Sequence, residues 1–311
     1  MVRLGVGVLV RVETDTQTDL RGAVGRQHWA GGGVAFRLTD RDRLLLDWLA
    51  DHRVLTTFQI SHALFGSLDF AQRRLLKLHR LGLVDRFRPL RAGGGSYPWH
   101  YVLDQVGAEF VAASRGERPL RRGETVERMR RIAASRTLRH RLGVNDFFTD
   151  LVGYARARPD CRLERWWSEQ QCAQPGAFGT ALISPVRPDG HGVFAEGGQR
   201  AAFFLEWDSG GEQLSVLASK LVGYARHVRQ GGPSWPVLLW LPTSRRERHL
   251  HHILDEVDTV VPVATAARDS LDPRGCPADA VWLVCGAGDA PRRLADLAGL
   301  GDPAPELSEA A

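Results

Sequence analysis

Apolar residues recur at helical spacing from Leu38 onward. Leu44, Leu45, Trp48 and Leu49 lie three or four apart up to His52, and Thr39 with Asp42 three residues on is an N-terminal capping pair, so a first helix ends near His52. Thr56 or Thr57 caps a short second helix carrying Ile60, Ala63, Leu64 and Phe65, and Gly66-Ser67 breaks it. A third runs from about Leu68 to Arg80, with Ala71, Leu75, Leu78 and Leu81 on one face and Gly82 as its stop. After Gly82 the period changes to two. Leu83 to Arg88 reads as a strand, Arg91 to Ser96 as a loose turn, Tyr97 to Leu103 as a returning strand and Gln105 to Ser114 as a helix.

The second half alternates strands and helices. Glu124 to about Arg156 is helical with an expected break near Gly143, and its apolar set is Leu138, Leu142, Val144, Phe147, Phe148 and Leu151. Strands follow at Arg162 to Glu169, within Ile183 to Phe194, and at Arg200 to Asp208. A helix from about Glu212 to Arg229 buries Leu214, Leu217, Leu221, Ala225 and Val228, with Lys220 and Tyr224 at the border of that face. Next come a buried strand at Pro236 to Leu241, a polar helix from Ser244 to about Asp255, and a short strand near Val260 to Val263. Residues 1–36, rich in Gly, Thr, Gln and Asp and ending in three glycines, read as a flexible leader.

Three helices, a hairpin and a helix joined by short loops are the order of a winged helix-turn-helix. That geometry puts the third helix in the DNA major groove, where Gln72, Arg73, Arg74, Lys77 and Arg80 reach base edges or phosphates, and lays Arg86, Arg88 and Arg91 against the backbone. Charge sharpens this. The 311 residues carry 41 Lys+Arg against 36 Asp+Glu, a net +5. Seven basic against two acidic residues between Ser67 and Arg91 leave +5, ten Arg against three Glu between Arg115 and Arg141 leave +7, and everything else carries −7. A basic front half on an acidic back half is expected when one part faces a polyanion. The segment Ala71 to Arg86 resembles the recognition helix and wing of many bacterial winged-helix regulators.

The acidic half holds the candidate chemistry. Asp189 follows Pro188, and Glu206 and Asp208 end an apolar strand, where side chains two apart share a face. Three converging carboxylates are hard oxygen ligands suited to Mg2+ or Mn2+. The layout resembles the PD-(D/E)xK nuclease superfamily, which implies Asp189, Glu206 and Asp208 as metal ligands. The sequence departs from that pattern by placing Asp208 where the lysine belongs, and Lys220 on the next helix is the expected substitute. Glu169, and Asn145 or Asp146 on the preceding helix, are further candidates. His249, His251 and His252 have spacings unsuited to a helical metal pair and read as surface residues. Four cysteines without a CxxC pair make neither a disulfide framework nor a zinc site, and the glycine-rich pieces make no nucleotide-binding loop. No apolar run suffices for a membrane span, so a cytoplasmic protein without a membrane partner is expected.

Taken together, Leu38 to Leu46, the segment through Leu103, Leu138 to Phe148, Arg187 to Gly190 and Phe204 to Gly210 with Lys220 resemble the replication-relaxation family of actinobacterial plasmids and integrative elements. The fold expected is a two-domain α/β chain, α+β overall. It comprises a leader at 1–36, a winged helix-turn-helix at 37–116, a basic helical linker at 117–135, a restriction-endonuclease-like α/β domain at 136–297 and a disordered tail at 298–311. The resemblance implies a DNA-binding protein of mobile-element replication, working with replication or conjugation proteins. Its second domain is expected to be either a metal-dependent nickase or a non-catalytic assembly module of a regulator. Winged helices commonly bind palindromes as dimers, so a homodimer is an expectation, although no heptad marks its interface.

Overall fold

The structure, a computed structural model, describes residues 10–11, 38–89, 94–121, 123–179, 186–255, 260–273 and 275–306. The chain is a mixed α/β protein of two compact units, residues 1–142 and 143–311.

In the first unit the described elements are β1 (Val10–Arg11), α1 (Asp40–His52), β2 (Leu55–Thr56), α2 (Thr57–Leu64), α3 (Leu68–Arg80), β3 (Val84–Pro89), β4 (His100–Leu103), α4 (Gln105–Ser114) and α5 (Glu124–Ala133). Both of the first two helices open on reciprocal caps. The Asp42 carboxylate accepts the Thr39 N–H at 2.7 Å while the Thr39 hydroxyl oxygen accepts from the Asp42 amide, and Thr56 and Gln59 repeat the arrangement. Gly82 ends the turn after α3 at φ +71°, a conformation a side chain would strain. The sheet order is β1-β3-β4-β2, antiparallel throughout. Of the expected leader, Val10–Arg11 pairs with β3, and the rest lies outside the described residues.

The stretch 117–135, expected as a linker, contains α5, and α5 belongs to the first core. Its apolar stripe Met129, Ile132 and Ala133 packs on Val54, Phe87 and Val102, which a solvated linker helix could not do.

α6 (Leu138–Arg156) crosses the boundary. The second unit continues with β5 (Cys161–Ser168), α7 (Glu169–Cys172), β6 (Gly190–Glu196), β7 (Gln199–Trp207), α8 (Leu214–Arg229), β8 (Val237–Leu241), α9 (Ser244–Leu254), β9 (Val263–Ala267) and β10 (Leu283–Val284). Its six strands lie in the order β10-β9-β8-β7-β6-β5, with β7, β8 and β9 parallel and the other pairs antiparallel. Val144, Phe147, Phe148 and Leu151 of α6 cover one face with Trp282, and Leu217, Leu221, Tyr224, Leu250 and Leu254 of α8 and α9 cover the other. Helices on both faces of a sheet are the three-layer α/β arrangement.

Three expectations shift. The helical stretch 124–156 breaks at residues 134–137, and Gly143 lies within α6; a Cβ there would stand 2.2 Å from the Trp207 ring, so the glycine serves close packing. The strand expected at Val260 to Val263 is β9, Val263–Ala267: its alanines have weak strand propensity, and parallel pairing with β8 decides the conformation. Residues 298–306 of the expected tail are tied down, with Asp302 accepting the Ser234 N–H at 2.7 Å and the Pro305 carbonyl accepting from Arg200 at 2.9 Å.

Candidate functional site

In the first unit, Ala71, Leu75 and Leu78 bury one face of α3, and the opposite face is exposed. Arg73 lies there beside Asp69 at 2.9 Å, an (i, i+4) pair in solvent, together with exposed Lys77 and Arg80, while exposed Gln72 sits on a flank. Arg74 does not join them. At three residues past Ala71 it falls near the buried edge, where its Nε donates to Asp42 Oδ1 at 2.8 Å and its Nη2 to Oδ2. Burial opposes the Asp42 charge, but hydrogen bonds from Arg74 and Thr39 outweigh it and hold the carboxyl below its usual range. Arg74 therefore pins α3 to α1. On the hairpin, Arg86 and Arg88 stand over the Trp99 ring at 4.1 and 4.9 Å, and Arg88 Nε donates to the Tyr97 carbonyl at 3.0 Å. Arg91 lies outside the described residues.

In the second unit, the β6–β7 register pairs Gly190 with Leu205, which sets Asp189 opposite Glu206. Asp189 Oδ2 accepts the Trp207 N–H at 2.8 Å. Glu206 is 3% exposed; its Oε2 accepts from Lys220 Nζ at 3.0 Å and its Oε1 from the Tyr224 hydroxyl at 2.7 Å. Lys220 and Tyr224 are one turn apart on α8, so both reach the same carboxylate. Burial, then the Asp189 charge, push Glu206 up to about 7, against the pull of Lys220 and Tyr224. Burial alone would lower Lys220, but the charge and hydrogen bond of Glu206, with the charges of Asp189 and Glu212, together more than offset it, and the amine titrates above its usual value. Cys172, on α7, is wholly buried, and its thiol is pushed up by burial and by the charges of Glu169, Asp189 and Glu206.

Asp208 takes a separate partner. β7 ends at Trp207 and the chain turns through Gly210 at φ +86°, so strand alternation no longer governs position 208. Its carboxylate accepts from Arg246 of α9 through Nε and, at 3.3 Å, through Nη2, and from the Gly210 N–H at 2.8 Å. Its carbonyl accepts from Arg268 at 2.6 Å. The structure thus brings Asp189, Glu206 and Lys220 together and puts Asp208 in an ion pair. Glu169 and Asp146 are exposed and Asn145 is buried. Of the three histidines, His249 and His252 are exposed, whereas His251 Nε2 lies 2.7 Å from Thr265 Oγ1.

The donor set decides whether a divalent cation fits. Both Glu206 oxygens already receive protein donors, both Asp208 oxygens receive Arg246, and among the described residues no three His, Cys, Asp or Glu side chains are grouped as metal ligands. As arranged, these carboxylates do not fit a resident Mg2+ or Mn2+. Sequence reasoning missed Arg246, which is 38 residues from Asp208 and carries no local signal. It also placed Tyr224 on the border of α8 without its partner, although the four-residue spacing from Lys220 pointed to a shared target.

No described helix is long and apolar enough to cross a membrane. No curated protein matches the chain. A family model described as replication-relaxation matches residues 46–238, from within α1 into β8, which is more than half of the sequence. The chain belongs to the replication-relaxation family.

Proposed function

We propose that this chain is a DNA-binding protein of plasmid or mobile-element replication, whose first unit works as a winged helix on duplex DNA. The observation that carries the reading is the outward face of α3, where Arg73, Lys77 and Arg80 are exposed together and the hairpin adds Arg86 and Arg88. Cations on one helix face and one hairpin can neutralise backbone phosphates on either side of a groove, and each neutralised phosphate adds about 0.9 to the slope of log affinity against log salt. The test is fluorescence anisotropy of the full chain on a labelled duplex across salt concentrations. Triple replacement of Arg73, Lys77 and Arg80 by Ala is expected to reduce the slope by about 2 to 3. Affinity independent of salt, or unchanged in the triple variant, overturns the reading.

For the second unit the first reading is a non-catalytic assembly role, with a second copy of the chain or a replication or conjugation protein as partner, because the ion pairs that occupy Glu206 and Asp208 leave these carboxylates closed to a cation. Metal-dependent nicking is a second reading, favoured by the approach of Asp189, Glu206 and Lys220 on neighbouring elements, and it requires Lys220 or Tyr224 to release a Glu206 oxygen that the present arrangement occupies. Nicking of supercoiled plasmid in Mg2+ or Mn2+ that is lost in Glu206→Ala and Asp189→Ala would carry it. Pure protein that binds DNA and never cuts leaves the assembly role.

A further inference from the structure

The outward face of α3 is not wholly polar. Phe70 is 50% exposed in the first turn of the helix, a large aromatic ring beside the charged side chains of Asp69 and Arg73. Its backbone is fixed, since the Ser67 hydroxyl oxygen accepts the Phe70 N–H at 3.3 Å as the N-cap, and its ring rests against Phe65 with centroids 5.8 Å apart. Phe65 is itself buried and has the Arg41 guanidinium 5.0 Å from its centroid, so the exposed ring stands on an ordered base. At about 100° per residue, Phe70, Arg73 and Lys77 fall within about 60° of one another. One outward stripe therefore carries an apolar head nearest the N-terminus of the helix and two cations behind it.

We infer that Phe70 reads the C5-methyl group of a thymine in the major groove, making it a specificity-determining residue. The inference rests on the winged-helix reading above. Recognition helices contact base edges with their N-terminal residues, and the thymine methyl is the apolar feature a major groove offers; an aromatic edge meets it while Arg73 and Lys77 engage phosphates or guanine edges. The charge of the surround selects the occupant. A protein partner's apolar patch would have to be desolvated beside Arg73, Lys77 and Arg80, whereas a polyanion brings countercharge to Lys77 and Arg80 and competes with the exposed Asp69 carboxylate for Arg73.

Selection from a randomised pool supplies the DNA for the test. Duplexes bound by the full-length protein are recovered, and each thymine of the selected site is then replaced singly by deoxyuridine, which removes the methyl and nothing else. The wild type is expected to lose about fourfold in affinity at one or two positions, the value of one buried methyl group. Phe70→Ala is expected to bind the thymine and uracil versions of those positions equally. Arg73→Ala/Lys77→Ala is expected to weaken both versions alike and to keep their ratio. A wild type indifferent to every uracil, or a Phe70→Ala variant that keeps the wild-type discrimination, overturns the inference while leaving DNA binding intact. Absence of salt-dependent DNA binding in the wild type overturns both readings. A Phe70→Ala change in oligomeric state, with the uracil response unaltered, assigns the ring to a protein contact and also overturns the inference.

Discussion

Replacing Asp42 by Ala tests the assignment of Arg74 to the fold rather than to DNA. Asp42 is 1% exposed and takes donors from Thr39 and Arg74, so its removal breaks a cap and a buried ion pair together. Breaking a buried pair by deleting one partner costs about 3 to 5 kcal/mol. The Arg74 side chain keeps 17% exposure and can regain some water, which places the loss near the lower figure. Loss of the reciprocal cap adds about 1 kcal/mol. The expected total, about 4 kcal/mol, is nearly three orders of magnitude in the local opening constant. Hydrogen exchange of peptides covering 40–52 and 68–80 reads it directly. Arg74→Ala, which leaves Asp42 its Thr39 donors, is expected to lose less, and to leave the salt slope of DNA binding unchanged. Protection in Asp42→Ala within about fivefold of wild type, or a reduced salt slope in Arg74→Ala, would refute the reasoning. The pH dependence has a definite sign. A carboxyl held below its usual range in the folded chain stabilises fully above about pH 4, and that stabilisation is lost as pH falls through its depressed value.

Carboxyl-resolved NMR is expected to show Glu206 titrating near 7, and Lys220→Met to move the midpoint higher still, because the amine favours the charged carboxylate; a midpoint in the ordinary carboxylate range would show that the site is more solvated than its burial implies. Since the folded value is raised, this group's contribution to stability falls as pH rises from about 4.5 to about 7, and the urea midpoint of Glu206→Gln should lack that slope. Gly143→Ala, a change that in an exposed helix stabilises by about 1 kcal/mol, is expected to destabilise the second unit by about 2 to 3 kcal/mol through the Trp207 ring, as read by urea denaturation; a gain in stability would refute the close approach. Gln59→Ala is expected to lower the stability of the first unit by about 2 kcal/mol, since it removes the side-chain acceptor of the buried Thr56 N–H and leaves the Leu142 carbonyl, 2.8 Å from Gln59 Nε2, without that donor; exchange protection of 57–64 checks it.

What the sequence determined by itself was local. Helix starts were written in Thr39 with Asp42 and in Thr56, the end of α3 in Gly82, and the strands in period-two alternation, because these signals act between residues a few positions apart. The adjacency of Asp189 and Glu206 was also accessible, as the two strands form a hairpin joined by two glycines, Gly197-Gly198. What only the tertiary structure decided was the fate of each charge. Arg73 and Arg74 are neighbours of one chemical type, yet the rotation of a single residue about α3 leaves one in solvent and buries the other on Asp42, 32 positions away. Glu206 and Asp208 were alike by alternation, and the end of β7 between them sent one to Lys220 and Tyr224 and the other to Arg246. Local pattern fixes which face a side chain occupies, but the partner waiting there comes from a distant segment, and the energy of a buried charge depends on that partner.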